Sequence, residues 1–125
     1  MTSNNSRPLS PHLQVYKLPL TGIISITHRI TGVALCCGLL LLGAMLVSVA
    51  SGELAYAAMQ TWLHTLWVQL IFWANILALN FHICHGIRHL IWDAGLSFDK
   101  YTLERYALYE LSATMFLTTL CLFIL

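Results

Sequence analysis

Six histidines stand in a chain of 125 residues that is 58% hydrophobic and only 9% charged. Four of them fall in two short clusters. One is Ser25-Ile26-Thr27-His28-Arg29. The other is Phe81-His82-Ile83-Cys84-His85-Gly86-Ile87-Arg88-His89, followed by Asp93. On a helix turning ~100° per residue, His82 and His89 share a face, about 10.5 Å apart along the axis, with Asp93 near the same stripe and His85 about 60° to one side. An imidazole within an apolar span is costly unless it has a partner. Iron is one such partner, because a neutral imidazole nitrogen binds it well, and haem in a helical bundle takes axial histidines from facing helices. Haem propionates are anionic and need cationic neighbours; His28 and Arg29 supply that charge at the depth of the second cluster. The same residues also have blander uses. A membrane histidine can hydrogen-bond a neighbouring helix, and Arg29 and Arg88 can snorkel to the interface. Spacing alone therefore stops at a membrane protein that binds haem or quinone, or one whose histidines are structural. His12 and His64 read as surface or interface residues.

These clusters need helices to carry them. A membrane span takes about 20 apolar residues at ~1.5 Å each, and three stretches qualify: 23–50, 62–92 and 106–125. The first has no charge after Arg29, the second no Asp, Glu, Lys or Arg until Arg88, and the third has Glu110 near its start. Ser51-Gly52 and Ala94-Gly95 punctuate the first two as loop signals. The fold class expected is all-α, an integral membrane bundle of three transmembrane helices. Residues 1–20 form an N-terminal segment, and 21–125 form the membrane domain. Gly32, Ala34, Gly38, Gly43 and Ala44 offer small surfaces for close helix contact. Trp62 and Trp92 fit interface aromatics near opposite ends of the second span.

Charge supports this reading and gives it a direction. So few charges cannot coat a soluble globule, which carries roughly 25% charged residues. A net charge of +1 argues against a nucleic-acid partner, which needs a basic surface. Arg7, Lys17 and Arg29 precede or open the first span, and Arg88, Lys100 and Arg105 lie between the second and third. The positive-inside rule then puts the N-terminus and the second connection in the cytoplasm or matrix, with the Glu53 loop opposite. The first twenty residues contain no long apolar run, so no cleavable secretory signal is expected there. Cys36, Cys37, Cys84 and Cys121 form no C-x-x-C pair and read as buried, inert thiols.

The residues carry a resemblance. Arg7-Pro8-Leu9-Ser10-Pro11-His12-Leu13 with Tyr16 resembles the N-terminal signature of the cytochrome b anchor subunit of succinate dehydrogenase. Ser25-Ile26-Thr27-His28-Arg29-Ile30-Thr31-Gly32 is similar to that family's Ser-x-x-His-Arg-x-(Ser/Thr)-Gly motif. His82, Gly86-Ile87-Arg88-His89-Leu90 and Trp92-Asp93 resemble its third motif. Order, spacing and span count agree over roughly residues 7–125. His85 is an additional histidine between the first residue of the third motif and its glycine.

The resemblance implies roles residue by residue. His82 corresponds to the axial ligand of haem b, whose iron takes its second histidine from the small anchor subunit. His28 and Arg29 correspond to residues near the propionates, with Arg88 and His89 in support. Ser25 and Arg29 correspond to residues lining the ubiquinone pocket, which the iron–sulfur subunit and the small anchor complete. The chain would dock the flavoprotein and iron–sulfur subunits on the inner face of a bacterial inner membrane or of the mitochondrial inner membrane. Electrons from succinate would reach quinone there, with catalytic flavin and cluster chemistry on other subunits. A quinol:fumarate reductase anchor is the alternative of the same architecture, and a haem-free membrane scaffold that of a different class.

Overall fold

The computed structural model describes residues 17–97 and 99–125. The Arg7–Tyr16 motif and His12 lie outside the described residues. Four helices follow in order: α1 Leu20–Ala50, α2 Glu53–Leu63, α3 Leu66–Asp93 and α4 Lys100–Ile124. Among the described residues there is no strand. Three of the helices, α1, α3 and α4, are long and apolar enough to cross a membrane. At 31 and 28 residues, α1 and α3 exceed the ~20 residues that a ~30 Å hydrocarbon layer requires, so their ends reach the headgroup region.

Local chemistry sets the helix boundaries. Pro19 is extended and accepts from the Gly22 and Ile23 amides, starting α1. Gly52 has φ 103°, a conformation that costs a residue with Cβ but not glycine. It turns the chain directly into α2, and Ser48 Oγ donates to the Ala55 carbonyl across that turn. Gly95, at φ 79°, closes α3 in the same way. Asp99 caps α4 by accepting from the Tyr101 and Thr102 amides and from the Thr102 hydroxyl.

The α2 helix was not expected. The Glu53 region reads as a loop because its 11 residues contain no apolar run of spanning length. They nevertheless form a short exposed helix with no buried residue. It ends at Leu63, so Trp62, read from the sequence as the start of the second span, belongs to α2, and α3 starts at Leu66.

Side-chain pairs fix the topology. Thr31 meets His82 while Gly38 meets Asn75, so α1 and α3 run antiparallel. Arg88 meets Leu103, His85 meets Glu110 and Asn80 meets Thr118, so α3 and α4 are antiparallel too. Thus α3 packs against both neighbours, with α4 also touching α1. One end gathers the start of α1, the end of α3 and the start of α4, and with them Lys17, Arg29, Arg88, Lys100 and Arg105. This basic end also holds the buried apolar group of Ile24, Phe81 and Ala107. The flanks of the long helices are largely apolar, while the opposite end exposes Glu53, Gln60, Thr61 and His64; Ile24 is the single buried residue of α1.

The cysteines are free, as expected. They are not buried within this chain: Cys36 and Cys37 are exposed, and Cys84 and Cys121 half-buried. A membrane helix can turn thiols outward to apolar surroundings at little cost, so burial inside the subunit is not needed.

Candidate functional site

At the basic end, α1 meets the histidine stretch of α3. His28, Thr31 and Gly32 stand at i, i+3 and i+4, which places them on one helix face. All three touch His82. The His28 ring stacks on the His82 ring with centroids 3.9 Å apart and planes 17° from parallel. The Thr31 hydroxyl lies 3.3 Å from His82 Nδ1 and donates to the His28 carbonyl at 2.8 Å. A Cβ on Gly32 would stand 3.4 Å from His82 Cε1. The glycine thus lets the imidazole lie close against the α1 backbone.

His28 is the hub of a wider cluster. Its ring centroid is 4.5 Å from that of His85 and 5.8 Å from that of His89. His28 Nδ1 and His85 Nε2 are buried with no hydrogen-bond partner among the described residues. An unsatisfied buried polar atom costs about 1–3 kcal/mol, and both nitrogens are closed off by this chain's own side chains. Among the described residues, no three His, Cys, Asp or Glu side chains converge as a metal-binding group.

On its other side, α3 makes a buried charged contact with α4. Glu110 accepts from His85 Nδ1 at 2.7 Å and from Arg88 at 3.0 Å. Arg88 also donates to the Leu103 carbonyl at 2.8 Å, and its guanidinium lies 4.7 Å from the centre of the Trp92 ring. His85 is fully buried, and Arg88 and Glu110 are 4% and 5% exposed. Snorkelling, one use the sequence left open for Arg88, is therefore not the one adopted. Desolvating a guanidinium and a carboxylate is costly, and only their mutual attraction and added hydrogen bonds offset it. The Leu103 carbonyl and the imidazole provide those bonds.

The remaining candidates spread around this centre. Ser25 is half-buried and Arg29 exposed, one turn apart on α1. Among the described residues, Arg29 has no acidic partner within ion-pair distance. His89 is exposed and packs edge-on to the Trp92 ring, with centroids 5.0 Å apart. Asp93 is exposed, and His64 caps α2 well away from the cluster. The structure thus brings His28, His82, His85 and His89 together, while Ser25 and Arg29 line the adjoining face of α1. Sequence reasoning missed Thr31 and Glu110 as contributors. The signal for Glu110 was available: a lone carboxylate in an apolar helix needs a cation, and Arg88 lies in the preceding helix.

A three-span helical membrane subunit with a histidine-lined, basic end is the class that this fold and site define. Comparison with known proteins narrows it. The family described as "Succinate dehydrogenase/Fumarate reductase transmembrane subunit" matches residues 3–122, and the chain belongs to that family. It is 42% identical over 98 residues to the succinate dehydrogenase cytochrome b556 subunit of Paracoccus denitrificans, covering 78% of this chain and 75% of that protein. It is 39% identical over 103 residues to the cytochrome b560 subunit of Reclinomonas americana, covering 77% and 70%. Identity to the cytochrome b556 subunit of Rickettsia felis is 38% over 97 residues, covering 76% and 73%.

Proposed function

We propose that this chain binds haem b through His82 and helps form the ubiquinone-reduction site of a succinate dehydrogenase. The observation that carries this reading is the convergence of His28 and His82 from two helices at the basic end. Both residues are half-buried, which leaves ring edges that a second membrane subunit can reach. His82 would hold the haem iron, with the second histidine supplied by the small anchor subunit. His28 and Arg29 would meet the propionates. The half-buried His28 ring beside His82 suits that role, since a carboxylate satisfies a ring N–H. Arg88 and His89 support the same region, Arg88 chiefly by holding α3 to α4. The haem, when bound, supplies a one-electron carrier within the membrane.

Ser25 and Arg29 form the quinone contact. A hydroxyl and a guanidinium one turn apart suit a headgroup whose carbonyl oxygens gain negative charge on reduction, and donors aimed at developing charge lower the barrier. Arginine keeps its charge in a partly apolar setting. The iron–sulfur subunit docks on this end with the flavoprotein behind it, and the N-terminus faces the cytoplasm or matrix. The membrane is a bacterial inner membrane or the mitochondrial inner membrane. The relatives compared above are succinate dehydrogenase subunits, which favours succinate oxidation over fumarate reduction, although the family includes both enzymes.

The test is a reduced-minus-oxidised spectrum of the assembled complex. His82→Ala removes or severely perturbs the b-type signal, and His85→Ala leaves it nearly unchanged. Loss of the signal with His85→Ala and its survival with His82→Ala would reverse the ligand assignment.

A further inference from the structure

We infer that Thr31 is a positioning residue for the haem ligand: its hydroxyl fixes the tautomer and ring plane of His82. The inference rests on the assignment of His82 as ligand. A threonine hydroxyl has one hydrogen. Here it goes to the His28 carbonyl at 2.8 Å, the shorter of the two Thr31 contacts. Toward His82 Nδ1, at 3.3 Å, Thr31 Oγ1 is therefore an acceptor, and Nδ1 carries the proton. The lone pair of the neutral ring is then on Nε2. A metal-ligating histidine commonly has this arrangement, with its second ring nitrogen donating to an oxygen that fixes the ring and makes it a stronger ligand.

The rest of the seat acts on the plane of the ring. His28 lies over one face. Gly32 leaves room at Cε1, where a Cβ would be at 3.4 Å, the near edge of van der Waals contact. The contact between Thr31 and His82 is long for an N–H···O bond, so its contribution is orientation more than energy. The seat is built from three residues on one face of α1. The ligand's geometry therefore depends on a helix other than its own.

The experiment uses the assembled complex and four variants. Thr31→Val keeps the shape and removes the hydroxyl; Thr31→Ser keeps the hydroxyl. Thr31→Val should lower haem affinity by about tenfold or more. It should also move the midpoint potential upward, because a less electron-rich imidazole stabilises ferric iron less. The low-spin electron paramagnetic resonance signal should broaden or shift. Thr31→Ser should match the parent in all three. Gly32→Ala keeps the hydroxyl but sets a methyl against the ring edge, and should shift the low-spin signal as well. It decides the matter if Thr31→Val does not assemble. Unchanged haem content, potential and resonance in both Thr31→Val and Gly32→Ala would overturn the inference. His82→Ala separates the two levels. If it abolishes the b-type signal while the seat variants are silent, the seat fails and the ligand stands. If it leaves the signal intact, the ligand reading and the seat fall together.

Discussion

Glu110 Oε1 lies 2.7 Å from His85 Nδ1, ten residues into α4 and so about 15 Å along it from the helix start. With Arg88 on its other oxygen, the carboxylate joins α3 to α4 at a depth where water does not compete. Breaking a buried pair by removing one partner costs about 3–5 kcal/mol, because the survivor is left charged and alone. Glu110→Leu should therefore lower the unfolding stability of the detergent-solubilised subunit by that order. Glu110→Leu with Arg88→Met should regain most of it. A double variant no better than the single one would show that the ion pair is not what holds these helices together.

A second contact is steric. A Cβ on Gly38 would meet Asn75 Oδ1 well inside contact distance and Asn75 Cγ at 3.0 Å. The asparagine end can swing away at the loss of its bond to the Ile71 carbonyl. Gly38→Ala should therefore cost only about 1 kcal/mol, and a bulky Gly38→Leu should cost at the upper end of the ~1–3 kcal/mol typical of overpacking. Asn75→Ala should relieve the alanine variant. Thermal unfolding of the four proteins checks the cycle, and equal effects of Gly38→Ala with and without Asn75 would remove the contact from the account.

Asp99 gives a pH dependence outside the spans. The hydrogen bond from the Thr102 side chain, joined by the Thr102 and Tyr101 amides, holds its carboxyl below the ordinary 3.8. A depressed pKa in the folded state means that the capping contribution is complete above the unfolded value and is lost as pH falls through the folded one. The start of α4 should fray in acid and be insensitive to pH from neutrality down to about 5. In Asp99→Asn, amide exchange at Tyr101 and Thr102 should lose this acid dependence. An unchanged acid profile in that variant would place the titrating group elsewhere.

Quinone chemistry offers the most functional prediction. Ser25→Ala and Arg29→Ala should lower succinate–quinone activity in the assembled complex. A donor on developing charge is typically worth about 10²–10³ in rate, with less expected for Ser25 because other subunits contribute donors. Succinate oxidation with an artificial acceptor that draws from the soluble subunits should survive. Equal loss of both activities points to failed assembly, and a silent Arg29→Lys with unaltered quinone kinetics leaves Arg29 as a surface anchor.

Topology is checked with tags. Every described basic residue lies at one end of the bundle, so labels near Asp99 should be reached from inside and labels near Glu53 from outside. A Glu53 label accessible only from inside would invert the assignment.

The three long helices were legible in the sequence because a span announces itself by length and apolarity alone, and the turns at Gly52 and Gly95 by residue type. The histidine clusters were legible for a related reason, since a polar group in such a helix stands out. What escaped is whatever depends on facing partners. The periodicity of α1 does not reveal that Thr31 faces His82 and not lipid. Glu110 looks like a residue near a helix start until α3 brings Arg88 and His85 against it. The short α2 lay below the length that span reasoning detects. Asn75 could not be matched to Gly38 without the register of two antiparallel helices, which no local pattern sets.

The polar ties among the long helices are unevenly spread. Thr31 to His82, Glu110 to His85 and Arg88, and Asn80 to Thr118 all lie between the basic end and the midpoint of α3. Past Gly38, α1 and α3 flank an apolar groove of about 540 Å³ lined by residues such as Leu39, Leu42, Met45 and Phe72. The bundle is built like a pair of tongs, riveted where the imidazoles meet and held by apolar contact alone at the groove. Bilayers differ in thickness, and helices answer by tilting at a modest cost. If this subunit answers thickness by opening at the end without polar ties, the same histidine geometry is kept in membranes of different depth.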